Sequence, residues 1–93
     1  MISKWIRFEV PASEADSLRS ALEPLAVASK AEAGCIHYAA FESSDQPEAF
    51  CVLEQWETDE HFQAHQKAPH LATFKEAIGG LDISKAAESL KEL

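Results

Sequence analysis

Glycine is scarce, with three residues in a chain of 93, at Gly34, Gly79 and Gly80. No glycine-rich loop is available to cradle a phosphate, and the nucleotide and dinucleotide motifs that depend on one are missing. Basic residues are also few, eight Lys and Arg against sixteen Asp and Glu, for a formal net charge of −8. A surface of that sign repels nucleic-acid backbones and anionic lipid headgroups, and no basic cluster interrupts it. Neither nucleic acid nor a membrane is expected as a partner. Two cysteines, Cys35 and Cys51, are too few for a disulfide scaffold, and their spacing matches no zinc ribbon. No run of about 18 apolar residues exists, and the start, Met1 to Trp5, has neither an apolar h-region nor a small-residue cleavage site. The expected setting is the cytoplasm, with both thiols reduced.

What is present is apolar material. A hydrophobic content of 46% is too high for a disordered acidic chain, so a folded domain is expected. With no linker, repeat or low-complexity tract, residues 1–93 read as a single domain. A core of this size is marginal by itself.

Ile2, Lys4, Ile6, Phe8 and Val10 alternate with Ser3, Trp5, Arg7 and Glu9, the period of a strand that Pro11 stops. A helix is expected from an N-cap at Ser13, with acids in its first turn, an apolar stripe through Leu18, Leu22 and Leu25, a kink at Pro24 and Gly34 as its C′ residue. Cys35 to Ser43 and Ala49 to Glu57 read as a hairpin joined by a polar, Pro-containing turn. If that turn is centred near Asp45 to Pro47, opposing residue numbers sum to about 92. Tyr38 then faces Glu54, Phe41 faces Cys51, Ile36 faces Trp56 and Cys35 faces Glu57, which keeps the two cysteines apart. Thr58 caps a second helix that Pro69 interrupts, and a further helical stretch ends at Gly79-Gly80. Leu81 and Ile83 alternate like a strand, while Ala86 to Leu93 fits either helix or edge strand.

The order β-α-β-β-α-β in one small domain points to a ferredoxin-like α+β sandwich, an antiparallel sheet with helices on one face. Its central strands are apolar on both faces, and two helices cover only one. A second copy of the same sheet is the expected cover, giving a homodimer built face to face.

Four histidines are candidates for chemistry. His61 and His65 have the spacing of paired metal ligands on a helix, but no complete ligand set follows and no metal is expected. His65 shares a helical face with Phe62, and its helix leaves directly from the strand carrying Glu54 and Trp56. There it is either a base titrating near neutrality or a core histidine bonded to a backbone carbonyl. Glu54 needs a partner if buried, with Tyr38 and Arg7 the candidates.

Three segments together resemble one family. Glu32-Ala33-Gly34-Cys35-Ile36-His37-Tyr38 is similar to the entry into the second strand of antibiotic biosynthesis monooxygenase domains, the quinol monooxygenase-like group. The block from Phe50 to His65 resembles that family's Glu-x-Trp segment with its following histidine, and Ala68 to Phe74 resembles its continuation. The resemblance implies a dimeric α/β barrel and oxidation of a small aromatic quinol or phenol by O2 without flavin or metal. In that reading His65 is the base or a hydrogen-bond partner, with Glu54 and Trp56 beside it as catalytic residues. Tyr38, Phe62, Phe74 and His37 would contact the substrate, and Trp56, Phe62 and Phe74 would wall an aromatic pocket. The haem-degrading members use an Asn on the first strand, which this strand lacks. An isomerase of a phosphorylated metabolite would need cations, with Arg7, Lys30 and Lys67 the candidates. A non-catalytic dimeric binding or stress-response module, in which these residues only pack the interior, is the rival from another class.

Overall fold

The computed structural model describes residues 1–93. Four strands, β1 (Ile2–Glu9), β2 (Cys35–Glu42), β3 (Ala49–Trp56) and β4 (Ser84–Ser89), form one sheet in the order β2-β3-β1-β4. Every pairing is antiparallel. Between them run α1 (Ala15–Lys30), α2 (Asp59–Gln66) and α3 (Pro69–Ile78). This is the ferredoxin-like α+β arrangement, with the second helical segment divided at Pro69, whose ring fits the first turn of α3.

The hairpin register obeys the sum of 92 over most of its length: Tyr38 pairs with Glu54, Ala40 with Val52 and Phe41 with Cys51. It departs at the base. A bulge between Cys35 and His37 leaves Ile36 without a partner and sets Cys35, not Ile36, opposite Trp56. Both cysteines are free thiols.

Several details of the helices differ from the sequence reading. Pro11 opens a short 3-10 turn, Ala12–Glu14, so α1 starts at Ala15 and Ser13 caps nothing. The Glu14 carboxylate instead accepts the Asp82 backbone N–H at 2.7 Å, tying the approach to β4. Pro24 sits on the exposed side of α1, which runs on past it to Lys30. Gly34 is four residues beyond that end and enters β2 with φ +78°, a left-handed conformation that glycine adopts without steric cost. Thr58 does cap α2, its hydroxyl accepting the His61 backbone N–H at 3.2 Å. The tail resolves as edge strand β4, exposed at every residue.

The core lies between the sheet and the helices. Phe8, Tyr38, Phe50, Val52 and Trp56 from the strands meet Leu18, Leu22 and Leu25 of α1 and Leu71 and Phe74 of α3. Phe8 and Phe74 pack edge to face with centroids 6.1 Å apart. Alternation along the strands sends Trp5, Arg7, Ala39, Phe41, Leu53 and Gln55 to the opposite face, which no helix covers.

Candidate functional site

Alternation also sends Glu54 inward, since it shares its face with Val52 and Trp56. It is 2% exposed, and an ionised carboxylate at that depth needs donors. The donor is the indole N–H of Trp56, 2.8 Å from Glu54 Oε1. Arg7, one of the two expected partners, points to the opposite face and binds Glu9 and Gln46. Tyr38 is adjacent across the strand pair but makes no hydrogen bond to the carboxylate. Burial pushes the Tyr38 hydroxyl far above its ordinary pKa, and the nearby Glu54 charge pushes the same way.

His65 descends onto this group from the last turn of α2. Its ring lies over Trp56 with centroids 4.7 Å apart and planes at 32°, and it is 5.5 Å from the Tyr38 ring. Only 1% of the residue is exposed. Its Nε2 stands 4.0 Å from Glu54 Oε1. The other ring nitrogen, Nδ1, is 2.6 Å from Glu32 Oε2, so the side chain is held by a carboxylate and not by a backbone carbonyl. The same Glu32 oxygen is 2.7 Å from His70 Nε2 at the start of α3.

The loop that delivers Glu32 depends on Gly34. A Cβ built there would lie 2.1 Å from Cγ of His61, so only a glycine lets the chain pass this close beneath α2. The Gly34 carbonyl accepts the Glu57 N–H at 2.8 Å and pins the loop against the end of β3. His61 is therefore committed to Thr58 and Gly34 and lies apart from the His65 cluster.

A cavity of about 440 Å³ opens between sheet and α3 beside these groups. Glu54, His65, Tyr38 and Phe74 line it, together with Ile6, Phe8, Leu71 and the cations Lys75 and Lys85. Not every expected residue is on its wall. Trp56 is fully buried behind Glu54 and His65 and backs them without facing the cavity. Phe62 packs at the edge of the core, with Lys4 Nζ 5.2 Å above its ring. His37 is exposed on the outer strand, in a separate shallow depression with Cys35 and Ile36.

The sequence reading gave no role to Glu32, Lys75 or Lys85. Glu32 belongs to no periodic element, and its signal was proximity in sequence to a glycine that must pack closely. Arg7, Lys30 and Lys67, the cations that an isomerase of a phosphorylated metabolite would call on, are absent from the cavity wall.

Residues 1–77 match the family model described as antibiotic biosynthesis monooxygenase. The chain belongs to that family. A relative from Escherichia coli K12, named a probable quinol monooxygenase, YgiN, is 38% identical over 34 residues, 37% of this chain and 33% of that protein. This chain thus matches only about a third of that relative's length. PA3566 from Pseudomonas aeruginosa superimposes with a TM-score of 0.87 at 26% identity, covering 99% of this chain and 94% of its own. A Nitrosomonas europaea protein reaches a TM-score of 0.92 over 100% of this chain and 99% of its own, and at 18% identity it speaks for the monooxygenase-family fold alone. No helix is long and apolar enough to cross a membrane.

Proposed function

We propose that this protein oxidises a small aromatic quinol or phenol with O2, without flavin or metal, and that His65 Nε2 takes the phenolic proton. One observation carries the reading. His65 Nε2 and Glu54 Oε1 stand 4.0 Å apart on residues lining the cavity with no hydrogen bond between them, and both are acceptors when His65 carries its proton on Nδ1, beside Glu32. A substrate hydroxyl placed there supplies the missing proton. The anion left behind is electron-rich enough to reduce O2 itself. For an anthrone-type substrate the methylene carbon becomes a carbonyl, one oxygen atom enters the product and the other leaves as water.

The surroundings suit that chemistry. A cavity of about 440 Å³ with a mainly apolar wall matches a small aromatic molecule. Phe74 and Tyr38 supply aromatic surface, and Lys75 and Lys85 offer positive charge to a phenolate formed in place. Such a cavity beside His65 is also not what a purely packed, non-catalytic module would leave. The two lysines favour a second reading, isomerisation of a phosphorylated metabolite, which the assay below separates by its lack of oxygen uptake.

The same proposal includes a homodimer and a cytoplasmic setting. The uncovered sheet face, where Phe41 is half exposed beside Trp5, Ala39 and Leu53, is an apolar surface that a second copy would bury. Free thiols at Cys35 and Cys51 accord with a reducing compartment.

The test is oxygen uptake with menadiol and with an anthrone, followed by quinone formation. His65→Ala is expected to lose roughly 10²-fold or more, the size of a general-base contribution. Undiminished turnover in that variant would remove His65 from the reaction.

A further inference from the structure

Glu32 occupies the turn between α1 and β2, its side chain 16% exposed, and a single oxygen of it meets two imidazoles. On the basis of the quinol reading above, we propose that Glu32 is a positioning residue. Its carboxylate, held in place by His70, fixes His65 in the tautomer whose bare Nε2 faces Glu54, and it steadies the imidazolium formed when that nitrogen takes the substrate proton.

With Glu32 ionised and both imidazoles neutral, the donors and acceptors close in one way. An ionised carboxylate has no proton to give, so both imidazoles donate to Glu32 Oε2. His65 then carries its proton on Nδ1, 2.6 Å from that oxygen, and His70 carries its own on Nε2, 2.7 Å away. A neutral imidazole has one N–H, which leaves His65 Nε2 as a lone-pair acceptor. That nitrogen is the one 4.0 Å from Glu54 Oε1. In the proton transfer, the substrate O–H bond breaks and an N–H bond forms at Nε2. The ring's positive charge is met by Glu32, and the carboxylate itself remains ionised throughout. His70 contributes by giving Oε2 a second donor, so the carboxylate cannot rotate off His65 without losing both bonds.

The ligand atoms of Glu32, His65 and His70 lie within 4.8 Å of one another, a grouping that a metal ion could also use. Their separations favour hydrogen bonds. Distances of 2.6 and 2.7 Å are those of charge-assisted bonds. Ligands each about 2.0 Å from a tetrahedral ion stand roughly 3.3 Å apart.

The titratable groups around His65 are Glu32 from the loop, His70 from α3, Tyr38 from β2 and Glu54 from β3. Lys75 and Lys85 share the cavity. Of these, Glu32 alone is within hydrogen-bonding distance of the ring.

The tautomer can be read without turnover, from long-range proton–nitrogen NMR correlations of the wild-type imidazoles above their titration range. The expected spectrum shows His65 protonated on Nδ1 and bare on Nε2. Glu32→Gln should lose that preference, because an amide donates as well as accepts. With menadiol, Glu32→Gln should lower kcat on the order of 10²-fold while KM stays within about twofold. Its acid limb should move to lower pH, because the imidazolium has lost its anion. Glu32→Asp, which keeps the charge on a shorter stem, should recover part of kcat and of the acid limb. A wild-type His65 protonated on Nε2, or an unmoved pH profile in Glu32→Gln, would overturn the positioning role. Failure of the quinol reading looks different: the wild-type protein consumes no oxygen while His65 still carries its proton on Nδ1.

Discussion

The indole N–H of Trp56 donates to Glu54 Oε1 at 2.8 Å, and that same oxygen lies 4.0 Å from His65 Nε2. Trp56 therefore holds a buried carboxylate in place from behind while leaving its cavity side without a donor. Replacing Trp56 with Phe removes the N–H and part of the core's volume at a fully buried position. A loss of about 2–4 kcal/mol is expected from the stranded carboxylate and the void together, measured by urea denaturation.

Glu54→Gln is expected to separate stability from activity. The amide oxygen still accepts from Trp56, its N–H can turn to His65 Nε2, and a buried charge is gone. The unfolding free energy should hold or rise, by up to about 1 kcal/mol, while quinol turnover falls. A less stable variant with wild-type turnover would show that the charge serves the fold and not the site.

Gly34→Ala tests how the loop carrying Glu32 is held. The substitution meets His61 Cγ at 2.1 Å and forces a side chain into φ +78°. A destabilisation of about 1–3 kcal/mol is expected, with loss of turnover as Glu32 moves off His65. Gly80→Ala is the internal control, since a Cβ there meets nothing within 4 Å. Equal melting temperatures for the two variants would contradict the close-packing account.

Much of this architecture can be read directly from the residues. The hairpin register follows from one polar turn and two alternating strands, so Tyr38 opposite Glu54 needs no structure to find. The approach of His65 to Trp56 and Glu54 follows from a helix leaving directly from the end of their strand. The bulge at Ile36 does not follow, because a pattern of period two carries no mark of one extra residue. Nor does the Glu32 bridge. It depends on where a non-periodic loop crosses α2, which is settled by the space above Gly34 and not by local propensity. The walls of the cavity are only partly legible for a related reason. Trp56 and Phe62 are large enough to be pocket or core, and packing by neighbours distant in sequence decides which.

Tyr38 predicts how stability responds to alkali. Burial raises its pKa in the folded state above the ordinary value of 10.0, with Glu54 adding to the effect. The folded protein therefore retains a proton that the unfolded chain releases. Below pH 10 this group costs nothing. Above it, the unfolded state is favoured progressively as pH rises. Tyr38 is the chain's only tyrosine, so phenolate absorbance reports it alone. Ionisation should coincide with unfolding at high pH, and Tyr38→Phe should flatten the alkaline decline. A phenolate that forms near pH 10 in the folded protein would show that the hydroxyl is not shielded.

The uncovered sheet face gives the remaining prediction. Phe41 is 50% exposed on the strand beside β3, and Leu53 lies opposite Ala39 on the same face. The chain's own core rests on a cluster of twelve buried residues, small for an independent domain. A partner sheet would bury the second apolar face and add the stabilisation that the single layer of helices does not supply. Sedimentation should therefore give a dimer at micromolar concentration. Phe41→Asp places a charge on that uncovered face, and it should shift the protein to monomer with a lower and concentration-independent melting temperature. A wild-type chain that sediments as a stable monomer would refute the interface and leave the bare face unexplained by self-association.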